Sequence, residues 1–287
     1  MKVVLFGSTG LLGKRLYKIL EKNNFSILAP TREDVDLQDH HLLENYLKSL
    51  NFDILINAAA CTNTDYCEDH KEECLKVNWL SPLIMSKIAK DKGAIFIHYS
   101  TDYVFDGSKD EYFEEDAKSP LSVYGLSKSY AEDSIIKEGG SYYIIRTSLL
   151  YDEGGKNFLS IIPEKILSNE EIICTYDLKS APTFVPYLAE ATIKLLNSNA
   201  PFGIYHISGG YPSTPCEFIR IYEEVMGKNA NVKEVSAVEL NRRAKRPKNS
   251  FLNSFKFTTL VGFKPYPIEH YARRIYERLY KKQDRSS

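Results

Sequence analysis

Tyr124 and Lys128 stand four residues apart in the run Val123-Tyr124-Gly125-Leu126-Ser127-Lys128. On a helix that spacing puts both side chains on one face. Of the chain's 20 tyrosines, only Tyr124 has a lysine at this distance. A phenol with a pKa near 10 is a poor acid at neutral pH, and a neighbouring ammonium lowers that pKa by stabilising the phenolate. Such a pair can protonate a carbonyl oxygen that takes on negative charge as hydride reaches its carbon. Ser100-Thr101, just beyond the apolar run Phe96-Ile97-His98-Tyr99, offers a hydroxyl to polarise that carbonyl. The plainer reading of the pair is an amphipathic helix carrying a surface lysine.

A hydride donor needs its own site. Gly7-Ser8-Thr9-Gly10-Leu11-Leu12-Gly13 follows the first apolar run, Val3–Phe6, and opens the first amphipathic stretch, Leu11–Lys22. Glycines there let the chain turn tightly and let a pyrophosphate approach the helix start. The context of strand, turn and helix favours a dinucleotide over a bare βα turn. Lys128 can then also hold the nicotinamide ribose. The second strand ends in Ala29-Pro30-Thr31-Arg32, with no acidic residue at the position that reads the adenosine ribose. Arg32, beside Thr31, suits a 2′-phosphate and hence NADP; its plainer reading is a surface charge. Ala58, Ala59 and Ala60 end the third strand with small residues that permit close approach of the cofactor.

These residues need a scaffold. The first half alternates apolar strands (Val3–Phe6, 27–29, Asp53–Asn57, Ala94–Tyr99, Tyr142–Thr147) with helices over 11–22, 40–50, 69–91 and 123–137. Repeated βα alternation predicts a parallel sheet covered on both faces. The expected division is a cofactor domain over 1–150 with a returning helix near 186–197, and a smaller lobe over 151–185 and 198–287. A chain of 287 residues, 43% hydrophobic and 26% charged, reads as a globular protein with a large core. The net charge of −1 argues against a nucleic-acid binder. That figure hides an asymmetry, net −11 over 1–227 and +10 over 228–287: Arg242, Arg243, Lys245, Arg246 and Lys248 fit a basic wall facing an anionic ligand, while the terminal helix with Arg273, Arg274, Arg278, Lys281 and Lys282 reads as a solvated face.

The five cysteines are odd in number and contain no C-x-x-C pair, so reduced thiols and no zinc site are expected. No apolar run approaches the ~18 residues that span a bilayer. The glycines at 7, 10 and 13 interrupt the apolar start before it reads as a signal sequence. The expected address is the cytoplasm.

The G-x-x-G-x-x-G turn and the Tyr124–Lys128 pair resemble the short-chain dehydrogenase/reductases. Further stretches narrow the resemblance: Ser100-Thr101-Asp102-Tyr103-Val104-Phe105-Asp106-Gly107, Ser119-Pro120-Leu121-Ser122-Val123-Tyr124-Gly125, Arg146-Thr147-Ser148, Ala181-Pro182-Thr183-Phe184-Val185 and Arg246-Pro247-Lys248-Asn249-Ser250-Phe251-Leu252. Together they resemble the dTDP-4-dehydrorhamnose reductase family. The resemblance implies a Rossmann-type doubly wound α/β fold with a smaller C-terminal substrate lobe. It implies reduction of the C4 ketone of a nucleotide-linked 4-keto-6-deoxy sugar by NAD(P)H, for deoxysugar or surface-polysaccharide synthesis. Tyr124 is then the proton donor, Lys128 its partner, and Thr101 the hydrogen bond to the carbonyl. Thr101, Asp102 and Leu149 would meet the sugar, and Arg246 its nucleotide end. Gly7, Thr9, Gly10, Leu11, Leu12, Gly13, Cys61 and Thr62 would join Thr31, Arg32, Asp36, Leu37 and Ala58–Ala60 around the cofactor. The helices over 69–91 and 123–137 would pair in a homodimer.

Departures narrow what carries over. Leu149 stands where many members have Trp, and Asp177-Leu178-Lys179-Ser180 lacks the usual Gln and Gly. Lys14-Arg15 occupies the region whose Glu links the family's dimer through magnesium, so no metal is expected. Two other readings remain: a sister epimerase or dehydratase, and a catalytically silent NADP-binding regulatory subunit. Tyr103 stands where a dehydratase would carry Glu. His98 reads as a packed strand residue and Trp79 as core. Asn78 reads either as a support for the active-site backbone or as an exposed polar residue.

Overall fold

The computed structural model describes residues 1–283, with side chains to residue 279. Lys281 and Lys282, expected on a solvated basic helix face, lie outside the described side chains. The chain opens with β1 (Lys2–Phe6), α1 (Leu11–Lys22), β2 (Ser26–Leu28), α2 (His40–Ser49) and β3 (Ile54–Asn57). There follow α3 (Thr64–Asp69), α4 (Lys71–Leu75), a π-helical turn (Lys76–Leu80) and α5 (Ser81–Asp91). Then come β4 (Ile95–Thr101), a 3-10 turn (Asp102–Val104), α6 (Val123–Glu138) and β5 (Tyr142–Thr147). The second half adds β6 (Leu150–Tyr151), α7 (Phe158–Ser168), β7 (Ile172–Thr175), β8 (Thr183–Phe184) and α8 (Val185–Leu196). It ends with β9 (Gly203–His206), α9 (Pro215–Met226), β10 (Val232–Val235), α10 (Phe255–Val261) and α11 (Ile268–Gln283).

Six strands form one parallel sheet in the order β2-β1-β3-β4-β5-β9. The order reverses at β1, so the crevice beyond the carboxyl ends of β1 and β3 is the switch point where such sheets bind ligands. β1, β3, β4 and β5 are apolar and almost wholly buried because helices cover both faces. On one face, Leu12, Leu16 and Leu20 of α1 pack with Leu188, Ala191 and Leu195 of α8. On the other, Leu43 and Leu47 of α2 pack with Met85 and Ile88 of α5.

Three expectations need correction. The strand Gly203–His206 pairs with Tyr143–Arg146 and belongs to the main sheet, although the drawn boundary put it in the small lobe. One hydrophobic cluster runs unbroken from Val3 and Leu16 to Phe218 and Tyr271, so the outer segment shares a core with the sheet. The helix expected over 69–91 is interrupted at His70 and again by the π-helical turn, which buries Asn78 completely. Cys174 on β7 and Cys216 on α9 form a disulfide instead of remaining thiols. β7 and α9 bring their Cα atoms to 5.3 Å, within the span a bridge requires. No helix among the described residues is long and apolar enough to cross a membrane.

Candidate active site

The site gathers at the carboxyl edge of the sheet. Ser122 caps α6 by accepting the Gly125 N–H, and Glu68 of α3 accepts the Val123 N–H. A Cβ on Gly125 would stand 2.2 Å from the Tyr103 carbonyl oxygen, so only glycine lets α6 lie this close to the 3-10 turn. Tyr124 is thereby brought to the Thr101 hydroxyl, with its ring edge-on to Tyr103 at 5.9 Å. Burial pushes the Tyr124 phenol up, while the Thr101 hydroxyl opposes that shift.

Lys128 is 2% exposed, and its Nζ lies 3.0 Å from His98 Nε2. Burial lowers its pKa to about 7, against a raising influence from Glu132 and Cys74. The expected lowering of the Tyr124 phenol by the Lys128 ammonium is therefore not met in this arrangement. Desolvation dominates at both groups, and the amine faces His98. Burial also holds the His98 imidazole well below its ordinary pKa, which keeps it neutral beside Lys128. His98 is a packed strand residue, as expected, and it also touches Lys128.

One turn further along α6, Glu132 is fully buried and paired with Arg146 at 2.8 Å. It also accepts the Ser100 hydroxyl, and Lys118 lies 3.3 Å away. Burial pushes the Glu132 carboxyl up, but these partners outweigh it and hold it below the usual range. Asn78 accepts the Cys61 N–H at 2.8 Å and donates to the Cys61 carbonyl at 3.0 Å and to Ser127 Oγ at 3.1 Å. Asn78 thus supports the backbone between the β3 exit and α6, which decides between its two readings.

Thr101 ends β4, two residues beyond the expected strand end. Its Oγ1 donates to Asp102 at 3.1 Å and accepts the Tyr103 N–H at 3.2 Å. To donate to a carbonyl, the Thr101 proton must turn away from Asp102. Asp102, expected to meet the sugar, is held among protein partners. It is 2% exposed, and its carboxylate accepts Ser148 Oγ at 2.8 Å and Ser250 Oγ at 2.5 Å as well as Thr101. It ties β4, the exit of β5 and the 249–252 segment together. Leu149, next to Ser148, is 39% exposed.

The glycine turn fits a dinucleotide. Gly7 has φ +80, and a Cβ there would lie 2.6 Å from the backbone of Ala58 and Ala59. A Cβ on Gly13 would strike the Gly7 carbonyl oxygen at 1.9 Å, because α1 packs directly on its own turn. Gly10 begins α1 with no side-chain cap and no acidic residue in the first turn. The N–H groups of Leu11, Leu12 and Gly13 thus face a site suited to a pyrophosphate. Thr9 is exposed, and Ala58–Cys61 are partly exposed across the crevice with Thr62 exposed beyond them. At the β2 exit, Thr31 bonds Asp34 through its N–H and hydroxyl, and Arg32 pairs with Asp36 at 3.3 Å with 76% of its side chain exposed. Leu37 is buried behind them.

Arg246 reaches back from the basic segment to α3, donating to Thr64 Oγ1 at 2.9 Å and lying 3.5 Å from Asp65. Arg242 sits close enough to Arg246, Tyr103 and Asp65 to feel their charges, and burial lowers its pKa. Arg242, Tyr103, His98 and Glu132 were not assigned to the site from sequence. Only Arg242 carried a usable signal, its place in the +10 segment. A cavity of about 740 Å³ lined by Met1, Lys2, Asp53 and Lys92, among others, opens at the opposite edge of the sheet and brings together none of these groups. Among the described residues, no group of three or more His, Cys, Asp or Glu could hold a metal ion.

Comparison with known proteins supplies the lineage. The chain is 31% identical over its whole length to a spore coat polysaccharide biosynthesis protein of Bacillus subtilis, covering 98% of that protein. It is 32% identical over 271 residues to the dTDP-4-dehydrorhamnose reductase of Escherichia coli K12, covering 90% of this chain and 91% of that one. Among solved structures, dTDP-4-dehydrorhamnose reductase from Bacillus anthracis in complex with NADP superposes with a TM-score of 0.89 at 28% identity, over 96% of this chain and 99% of that one. The profile described as the RmlD substrate binding domain matches residues 1–281. With that profile spanning nearly all of its length, the chain belongs to the RmlD substrate-binding-domain family.

Proposed function

We propose that this chain reduces the C4 ketone of a nucleotide-linked 4-keto-6-deoxy sugar, with NADPH as the hydride donor. The observation that carries the reading is the convergence of Thr101, Tyr124 and Lys128 at the carboxyl edge of β4, across the crevice from the Gly7–Gly13 turn. NADPH supplies the hydride. The first-turn N–H groups of α1 bind the pyrophosphate, and Arg32 takes the 2′-phosphate by exchanging its exposed pairing with Asp36. Thr31, Asp36 and Leu37 border the adenosine, and Ala58–Thr62 form the facing ledge.

Thr101 turns its hydroxyl from Asp102 to the ketone oxygen. Tyr124, protonated at rest, hands its proton to that oxygen as negative charge develops. Lys128 holds the nicotinamide ribose while His98 fixes its other side. Leu149 flanks the sugar. Arg246 and Arg242 attract the sugar's diphosphate, which gives the basic segment its role. A homodimer through α5 and α6, where Tyr130 is 39% and Ile136 42% exposed, and a cytoplasmic setting complete the proposal.

The test is NADPH oxidation with dTDP-4-keto-6-deoxy sugars. Wild type is expected to turn over, and Tyr124→Phe to lose roughly 100- to 10,000-fold in kcat. Tight NADP binding without oxidation of NADPH on any such sugar would favour a silent regulatory subunit instead.

A further inference from the structure

Three of the five cysteines gather beside the catalytic helix. Cys61 follows the Ala58–Ala60 ledge and is partly exposed, whereas Cys67 on α3 and Cys74 on α4 are buried. Cys61 Sγ and Cys67 Sγ are 3.5 Å apart, and Cys67 Sγ is 3.7 Å from the Cys61 carbonyl oxygen. A disulfide needs ~2.05 Å between the sulfurs, so a local shift of about 1.5 Å joins them. The Tyr124–Lys128 chemistry has no use for either thiol.

We propose that Cys61 and Cys67 form an oxidation site that closes to a disulfide when the protein meets a peroxide. Cys61, the partly exposed member, attacks the peroxide as its thiolate. It becomes a sulfenic acid as the O–O bond of hydrogen peroxide breaks, and the departing hydroxide takes up the proton the thiol released and leaves as one water. The Cys67 sulfur then displaces the sulfenic oxygen, which leaves as a second water. The two thiols are oxidised by two electrons and the peroxide is reduced by two.

The position gives this bond a consequence. Cys61 is clamped through both backbone groups by Asn78, which also bonds Ser127, the neighbour of Lys128. Drawing Cys61 towards α3 pulls on that clamp. It also displaces the ledge that the proposed function gives to the cofactor, and this part of the inference rests on that proposal. Bound NADPH covers the ledge and slows the oxidation.

The experiment treats the full chain with hydrogen peroxide, with and without NADPH. Tryptic cleavage after Lys48 and Lys71 leaves both cysteines in the single peptide 49–71. Under non-reducing conditions that peptide is expected to become lighter by two hydrogens and to resist alkylation. NADPH affinity, read by fluorescence, is expected to fall by at least ~5-fold, and dithiothreitol to restore it. Cys67→Ser, with Cys67→Ala as a second variant, is expected to leave only oxygen adducts on Cys61 that dithiothreitol does not fully reverse. Wild type that gains only oxygen in peptide 49–71, or stays unchanged, overturns the site. A two-hydrogen loss at unaltered NADPH affinity overturns its link to the cofactor. Failure of untreated protein to bind NADPH counts against the proposed function, while the peptide mass still decides the oxidation site.

Discussion

Around Lys128, the polar groups are sealed from water and partnered with one another: His98 with Lys128, and Glu132 with Arg146 and Ser100. Around Arg246, the charges are partly open to water and lean on acids of α3: Arg246 on Asp65, and Arg243, 66% exposed in its side chain, on Asp69. Buried groups hold one geometry, because any change leaves a polar atom unpaired. Exposed ion pairs exchange partners at little cost. The proposed division of labour follows. A proton donor must sit within a hydrogen bond of its target, whereas a diphosphate can be gathered by any charge that reaches it.

Substitutions can test how deep this contrast runs. Lys128→Met should cost the most activity, roughly 100- to 10,000-fold in kcat. It should also reveal the cost of burying an amine. The folded-state pKa of Lys128 is about 7 against an ordinary 10.5. Between those pH values the unfolded chain binds the extra proton, so wild-type stability rises with pH across that window. The Met variant should therefore melt above wild type at pH 7 and below, with the gap narrowing towards pH 10.5. Glu132→Ala should come next, destabilising the fold by about 3–5 kcal/mol in chemical denaturation because Arg146 is left buried and unpaired. A loss under 1 kcal/mol would mean that the two regions are not so different. Arg246→Ala should raise KM for the sugar nucleotide ~10-fold with kcat nearly kept, and weaken the salt dependence of KM. Smallest of all, Arg243→Ala should leave both the melting temperature and KM where they are.

What the sequence disclosed divides along the same line. The glycine turn, Tyr124–Lys128 and Thr101 were legible because each depends on local spacing within one βα unit. The buried partners of Asp102 were not legible, because they come from distant parts of the chain. The 3-10 turn after β4 rotates Asp102 inward, to Ser148 and to Ser250, which lies 148 residues away. The Cys174–Cys216 bridge spans 42 residues, and no local pattern announces it. The break in the 69–91 helix escaped periodicity as well, since one π-helical turn is enough to aim Asn78 inward. β9 was misassigned because four residues, Gly203–His206, return to the sheet from within a stretch that otherwise builds the outer lobe.

That return has a practical meaning for anyone who would shorten the chain. A fragment stopped at residue 150 keeps Gly7, Gly10 and Gly13 of the nucleotide turn together with Tyr124 and Lys128, yet it lacks β9, which pairs along β5, and α8, whose apolar side covers α1. It would present an unpaired strand edge beside a bare leucine face, the combination by which sheets add foreign strands. The minimal nucleotide-binding unit of this protein is therefore not its first half. It extends to His206, with the outer segment emerging as an insertion and a tail.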